Sequence, residues 1–334
     1  MGTSELKVIM GKNTLYKTKL GKYLIGDSVE LINKKLIKSH MNKVNLIITS
    51  PPFPLNQKKR YGNKNGEEYK EWFIKLAPLF SELLTPDGSI VIELGNAWEA
   101  GKPIQSVLHL ESLLGFLKHP EADLNLCQEL ICYNPSRLPS PAQWVTIERS
   151  RTIDSYTHVW WMAKSINPKA DNSKVQRPYS KSMLALLKRG KYNSGRRPSD
   201  HVVSKESFLT DHHGSIMPNF IELDKMEENK EWRLPENVIR LSNTNSNDSF
   251  LRICREKKIT PHPARMNPGL VAFFIEFLTN PGDLVFDPFA GTNTTGYVSE
   301  LMGRNWLSVE AEEEYGKQAI IRFEAQDIKV NSKK

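Results

Sequence analysis

The chain has 334 residues, 39% hydrophobic and 25% charged, with 46 Lys and Arg against 38 Asp and Glu. This is the composition of an ordinary globular protein, long enough for one large domain with an insertion or for two domains. No apolar run nears the roughly 18 residues that a bilayer span requires and the start is polar, so a cytoplasmic protein without membrane contact is expected. Cys127, Cys132 and Cys254 form neither a CxxC pair nor a cluster with histidine, so reduced thiols and no metal are expected.

Residues 23–25 read as a short strand ending in Gly26 and Asp27, and Asp27 or Ser28 can cap a helix over 29–37. Val44-Asn45-Leu46-Ile47-Ile48 is almost continuously apolar and branched, the pattern of a buried parallel strand. It leads into Thr49-Ser50-Pro51-Pro52-Phe53. Each proline fixes φ and lacks an N–H, and Pro51 pushes Ser50 towards an extended conformation, so the loop is stiff and its carbonyl oxygens lack intrachain donors. A stiff acceptor cluster beside a ring can hold a flat heterocycle bearing an amino group. It is equally the form of a plain strand-ending turn, and the stretch alone leaves both open.

An amphipathic helix is predicted over 67–84, with Tyr69, Phe73, Leu76, Phe80, Leu83 and Leu84 on one face, closing at Thr85-Pro86-Asp87-Gly88. A buried strand over 89–95, a helix over 106–117 and strands over 127–133 and 156–163 follow, the last two as a possible antiparallel edge.

From 164 to 260 the alternation lapses into a polar, turn-rich stretch, read as a functional insertion or a linker. Between 164 and 211 stand eleven Lys and Arg against four Asp and Glu, a surplus of seven beside eight for the whole chain. Serine, glycine, asparagine and aromatic residues interleave with these charges around Lys188, Arg189, Arg196 and Arg197. Such a segment is a phosphate-tracking surface or a solvated basic loop.

Order returns with a helix over 267–278, preceded by His262 and Pro263, then a strand over 284–287, a helix over 294–301, a strand over 306–310 and a helix over 312–324. Asp287-Pro288-Phe289-Ala290-Gly291-Thr292-Asn293 runs from strand through tight turn into helix, and Gly291 lets the backbone approach a ligand closely. Glu310 ends the next strand, where a carboxylate can accept from a ribose diol. Neither GxGxxG nor GxxxxGK[ST] is present, which disfavours a dinucleotide or triphosphate and suits a nucleoside-like ligand. The whole predicts an α/β protein with a doubly wound, mostly parallel sheet, organised as 1–163, an inserted 164–260, and 261–334.

These residues resemble the amino-group DNA methyltransferases, and within them the N4-cytosine enzymes of restriction-modification systems. Thr49 to Phe53 matches their catalytic motif in its Ser-Pro-Pro form, where adenine enzymes usually show Asp-Pro-Pro-Tyr. Asp287 to Thr292 matches their S-adenosylmethionine loop, and Gly26-Asp27, Glu310 and His262-Pro263-Ala264-Arg265 match further cofactor elements. Tyr133-Asn134-Pro135 and Trp160 to Lys164 resemble segments lining the base pocket. The likeness covers nearly the whole chain, with the catalytic motif ahead of the cofactor motif, the circularly permuted order of a Rossmann-like methyltransferase fold.

The resemblance implies methyl transfer from S-adenosylmethionine to the exocyclic nitrogen of a cytosine flipped out of double-stranded DNA. Ser50, Pro51, Pro52 and Phe53 would be catalytic. Asp27, His262, Pro263, Asp287, Phe289, Gly291, Thr292, Asn293 and Glu310 would surround the cofactor, and Lys188, Arg189, Arg196 and Arg197 would meet DNA from a target-recognition region. A monomer that protects DNA from a cognate restriction endonuclease is implied too. One departure stands out: Asn293 replaces the second glycine of the family's F-x-G-x-G loop, and because asparagine tolerates left-handed φ the turn is expected to survive. Leu126, Ile131 and Ile253 precede the cysteines where a thiolate enzyme acting on ring carbon would show proline, so covalent catalysis is not expected. An N6-adenine methyltransferase and a non-catalytic DNA-binding protein on the same scaffold remain as alternatives.

Overall fold

The computed structural model describes residues 12–53, 66–222, 249–259, 265–324 and 328–332. The chain lays down β1 (Thr14–Lys17), β2 (Gly21–Ile25), a helical run over 28–40 that opens as α1 (Ser28–Leu31) and closes as α2 (Ile37–His40), and β3 (Val44–Thr49). Next come α3 (Gly66–Ile74), α4 (Leu76–Leu83), β4 (Leu84–Gly95), α5 (Leu108–Leu117), β5 (Asn125–Tyr133) and β6 (Tyr156–Ala163). The region 164–260 contributes α6 (Lys181–Arg189), the two-residue strands β7 (Gly195–Arg196) and β8 (Val202–Val203), β9 (Phe220–Glu222) and α7 (Ser249–Glu256). The chain closes with α8 (Pro268–Leu278), β10 (Leu284–Asp287), α9 (Thr294–Leu301), β11 (Asn305–Glu310), α10 (Glu313–Glu324) and β12 (Asn331–Ser332).

Ten of these strands make one sheet in the order β12-β1-β2-β11-β10-β3-β4-β6-β5-β9. The five from β2 to β4 run parallel, and β6 lies antiparallel between β4 and β5. This is the mostly parallel α/β sheet with an antiparallel edge that the alternating pattern predicts. One core, including Leu270, Phe274, Tyr297, Val298 and Phe323, lies under α8, α9 and α10. The other, including Leu31, Tyr69, Phe73, Phe80 and Phe116, lies under the helices from α1 to α5. With helices over both faces the central strands are mostly buried, which is why β3 reads as an apolar run and not as an alternation.

The structure departs from the sequence reading in three places. The helix expected over 67–84 is two helices joined at Lys75, because Pro78 has no N–H to offer the carbonyl of Ile74 and its ring crowds that carbonyl. Thr85 to Gly88 belongs to β4 as a bulge, since Leu84 pairs with Val44 while Ser89 pairs with Leu46. The polar stretch after 164 is not featureless: β9 adds a parallel strand beyond β5. Three residues are too few to show a period, so the sequence carried no sign of it.

The parallel register brings the functional ends together. Ile25 pairs with Glu310, Asp287 with Ser308, and Thr49 with Ile92, so the loops leaving β2, β11, β10, β3 and β4 emerge along one edge. Antiparallel β6 starts at that same edge, with Thr157 opposite Gly95. The crevice outside the carboxyl ends of an open parallel sheet is the usual place for a ligand in this architecture.

Candidate active site

A cavity of about 560 Å³ opens at that edge. Ser50, Pro51, Pro52 and Phe53 form one part of its wall, and Asp27, Asp287, Phe289, Gly291, Thr292 and Glu310 another, so two motifs more than 230 residues apart share one space. His262 and Pro263 lie outside the described residues; the adjacent Arg265 lines the cavity.

Asp287 fastens the two motifs to each other. Its Oδ1 accepts from Thr49 Oγ1 at 2.7 Å and from the Phe289 N–H at 3.0 Å, and its Oδ2 accepts from Thr295 Oγ1 at 2.7 Å. The side chain is only 4% exposed. Burial disfavours the charged form more than these three donors favour it, so the carboxyl is pushed up to about 6. With both oxygens committed inside the protein, Asp287 holds the geometry of the loops on either side.

The turn after β10 is held from below. Tyr23 Oη donates to the Gly291 carbonyl at 2.6 Å, and Ser28 Oγ donates to the Pro288 carbonyl. Gly291 has φ +49°, a conformation that favours glycine, and a Cβ added there would meet nothing within 4 Å, because that side of the residue is open. Glu310 Oε2 accepts from the Gly291 N–H at 2.8 Å and Oε1 from the Glu312 N–H at 3.0 Å, while burial raises its carboxyl above the usual range. Asp27 is the N-cap of α1 and accepts from the Glu30 N–H at 2.9 Å, settling the choice between Asp27 and Ser28.

Asn293 takes the left-handed conformation expected of it, at φ 55° and ψ 45°. Its side chain does not line the cavity. Oδ1 accepts from the Gly296 N–H at 3.0 Å and from Ser308 Oγ at 2.6 Å, and Nδ2 donates to Tyr16 Oη at 2.8 Å. The asparagine therefore caps α9 and stitches the turn to β1 and β11, three contacts a glycine there could not make.

On the other side, Phe53 rests on Gly95: a Cβ there would lie 3.2 Å from its ring. Ser50 and Glu93 each follow the last in-register pair, Thr49 and Ile92, on neighbouring strands, and both line the cavity. Glu93 Oε1 accepts from Thr157 Oγ1 at 2.9 Å, and Arg137 stands close enough to favour its charge. Burial nonetheless wins and raises the Glu93 carboxyl. The sequence reading passed over Glu93, Arg137 and Thr157. For Glu93 the signal was available: it is a carboxylate near the end of a buried strand, the same feature that singled out Asp287 and Glu310.

The remaining wall is aromatic. Trp72 lies 5.5 Å from Phe289 and 5.6 Å from Tyr69, centroid to centroid, and all three border the cavity. Tyr69 and Trp72 were missed because on an amphipathic helix a ring lining a site and a ring filling a core look alike.

Lys188, Arg189, Arg196 and Arg197 lie away from the cavity, on an excursion closed at its base by Arg177 and Ser215, whose backbones exchange hydrogen bonds of 3.0 and 2.8 Å. Ser180 caps α6 at its start and left-handed Gly190 ends it. Arg196 pairs with Asp200 at 2.9 Å, both exposed. Arg197 donates to the Asn193 carbonyl at 2.8 Å and lies 5.7 Å over the Tyr192 ring, and Arg189 donates to the Lys191 carbonyl at 3.1 Å.

The sheet order, the paired loops and the shared cavity define a mostly parallel α/β protein with a proline-stiffened loop at its strand-end cavity. The chain belongs to the DNA methylase family (N6_N4_Mtase), whose pattern it matches over residues 44–321. It is 38% identical over 315 residues to the type II methyltransferase M.PvuII of Proteus hauseri, covering 94% of this chain and 86% of that protein. The solved structure of the PvuII DNA methyltransferase (cytosine-N4-specific) superposes with a TM-score of 0.69 and 31% identity, covering 95% of this chain and 94% of that one. A shorter likeness, 40% over 63 residues, or 19% of this chain and 21% of the relative, links it to the DNA adenine methyltransferase YhdJ of Escherichia coli (strain K12). No described helix is long and apolar enough to cross a membrane.

Proposed function

We propose that this protein is a DNA (cytosine-N4)-methyltransferase that takes its methyl group from S-adenosylmethionine. The carrying observation is that the Ser50-Pro51 loop, the turn at Gly291 and the strand end at Glu310 open into one cavity, and that Asp287 ties the loop to the turn. The cavity suits the cofactor chemically. It offers a carboxylate at Glu310, a glycine turn whose open side faces outward, and an aromatic wall of Trp72 and Phe289 for a purine. When bound, the cofactor supplies an electrophilic methyl group on a sulfonium.

The protein's own residues do the rest. A cytosine drawn out of the duplex enters beside Ser50. Its exocyclic nitrogen is a poor nucleophile, because the lone pair is delocalised into the ring. The Ser50 hydroxyl and the Pro51 carbonyl accept its two N–H bonds and pull the nitrogen towards tetrahedral geometry, so catalysis is mainly orientation. Ser50 is too weakly basic to remove a proton, so the proton that the nitrogen sheds after methylation passes to solvent. Phe53, braced on Gly95, lies against the ring, and Glu93, held by Thr157, supplies a carboxyl at its edge. Phe289, Gly291 and Thr292 border the adenosine and methionine, Glu310 the ribose and Asp27 the adenine. Asp287 and Asn293 position the turn.

We place target recognition in 164–260, between a catalytic half at 1–163 and a cofactor half at 261–334. Its basic side chains meet the phosphates of double-stranded DNA. The protein works as a monomer in the bacterial cytoplasm, protecting DNA from a cognate restriction endonuclease. The test is to incubate it with mixed-sequence duplex DNA and labelled S-adenosylmethionine, digest to nucleosides and identify the product by mass spectrometry. N4-methylcytosine supports the proposal, N6-methyladenine transfers the site to adenine, and no transfer leaves a DNA-binding protein.

A further inference from the structure

Between residues 12 and 43 stand eight lysines and no arginine, against Asp27 and Glu30 alone. The fold gathers several of these lysines at the edge of the sheet away from the cavity. Ile25 ends β2 at the cavity edge, paired with Glu310, whereas Lys22 lies at the start of β2, with Lys17 as its partner on antiparallel β1. Directly paired residues share a face of the sheet, and for two lysines that arrangement is repulsive. Leu24, two residues on and so on the same face, packs in one core with Leu31, Ile32 and Leu36. The helical run over 28–40 therefore covers this face, and it carries Lys34, Lys35 and Lys38, with Lys43 just after it.

These charges are close enough to act on one another. Burial, then the charges of Lys35 and Lys17, hold the Lys22 ammonium below its ordinary range, and burial, then Lys22 and Lys43, lower His40. Glu30 is taken by Lys34 at 2.9 Å, and Glu300, which accepts from Thr18 at 2.6 Å, is shared with the Trp306 ring N–H. The ammonium groups of Lys17, Lys22, Lys35 and Lys38 have no hydrogen bond or ion pair among the described residues. Like charges held together without counter-ions destabilise the fold, and a bound polyanion removes that repulsion.

Residue type and position show which polyanion. Lysine is a point charge without the planar fork that reads a base edge, so an arginine-free patch suits phosphates of any sequence. Residue 215, at the base of the basic excursion, leads into β9, and seven strand spacings, roughly 30 Å, separate β9 from β2. A duplex held between excursion and cavity lies beyond the reach of lysines at this far edge.

We propose that Lys17, Lys22, Lys35 and Lys38 form a second DNA-binding surface, which takes the phosphate backbone of duplex DNA other than the stretch that delivers the base. This rests on DNA being the substrate, as proposed above. One chain then holds two duplex segments at once, which keeps it at high local concentration beside the second.

The test mixes the full chain with two short mixed-sequence duplexes, one carrying a donor dye and one an acceptor, and reads energy transfer between them at a series of salt concentrations without cofactor. The wild type is expected to bring the two duplexes together at low salt. In the triple variant Lys17→Gln, Lys22→Gln, Lys35→Gln, capture of the second duplex should weaken about 10-fold or more, with a salt slope smaller by about 3, while the first duplex binds as before. The variant should melt no lower than the wild type, because repulsion has been relieved. Changing the same three residues to arginine keeps the charge and should preserve the transfer. Unchanged transfer in the glutamine variant overturns the proposal, as does its loss in the arginine variant, or a wild type that captures one duplex only. So does displacement of the second duplex by polyglutamate at a lower concentration than by unlabelled duplex, which would give the surface to an acidic protein. If the wild type binds no DNA, the DNA reading falls and the second surface with it. Capture of both duplexes by a protein that transfers no methyl group removes the catalytic reading and leaves the second surface standing.

Discussion

The cavity and the basic excursion are built by opposite means. In the cavity, polar groups are buried and joined across elements far apart in the chain: Thr49 to Asp287, Tyr23 to Gly291, Thr157 to Glu93. In the excursion, the contacts of the arginines are local and exposed, as in Arg196 with Asp200, Arg197 with Asn193 and Arg189 with Lys191. Groups pinned in a low-dielectric wall stay put while a reaction occurs, and losing one leaves its partner unsatisfied. Exposed, locally satisfied cations can exchange an internal partner for a phosphate at small cost. Under the proposed division of roles, changes in the cavity should alter turnover or cofactor affinity, and changes in the excursion should alter DNA affinity and its dependence on salt.

The strongest way to break this contrast is Ser50→Ala. It should lower turnover on the order of 100-fold with cofactor affinity preserved, as measured by single-turnover kinetics beside calorimetry. Unchanged turnover would remove Ser50 from the mechanism.

Next in size is the pH dependence carried by Asp287. Its folded pKa of about 6 lies above the ordinary carboxylate value, so this group favours the native state while protonated. Its contribution is present at low pH and lost as pH rises from about 4 through about 6, up to about 3 kcal/mol across that window. Denaturant unfolding at a series of pH values should show the wild type losing stability relative to Asp287→Asn over this interval. Parallel profiles would show that the carboxyl is already ionised.

Glu310→Ala removes the acceptor for two backbone N–H groups as well as the proposed ribose contact. A loss of about 1–3 kcal/mol in S-adenosylhomocysteine binding is expected by titration calorimetry, with duplex DNA affinity unchanged. Wild-type cofactor affinity would strip Glu310 of that role.

The smallest effect belongs to the excursion. Lys188, whose side chain has no hydrogen bond or ion pair among the described residues, should on change to alanine weaken duplex DNA binding a few-fold. The slope of log affinity against log salt should fall by about 1, with the preferred sequence unaltered. A changed preference would make Lys188 a base reader and blur the division between the two regions.

The family resemblance and the paired strand-end motifs were legible without coordinates because they are local. A branched apolar run ending in Ser50-Pro51-Pro52 announces itself within ten residues, and so does the glycine turn after Asp287. Asn293 shows where such reading stops. Its left-handed φ followed from residue type, but the use of its amide to join Tyr16, Ser308 and Gly296 did not. Asp287 is similar: a strand-end carboxylate invites a ligand-binding role, and it does border the cavity, but its three internal donors could not be read from the chain.

The sequence by itself determined the order and class of the main elements, the stiffness of the loop at Ser50, the freedom at Gly291, the charge of the segment after 164, and the family. Each depends on the period, backbone restriction or charge of neighbouring residues. Only the tertiary structure decided which side chains meet. Thr49 reaches Asp287 across 238 positions because β3 and β10 lie side by side, and Glu93 and Ser50 share a cavity because β3 and β4 share a register. Tyr69 belongs to a buried core and also borders the cavity, a double placement that its helical spacing could not show. Strand order and register are set by the burial of the whole sheet at once, and no local pattern in the chain encodes them.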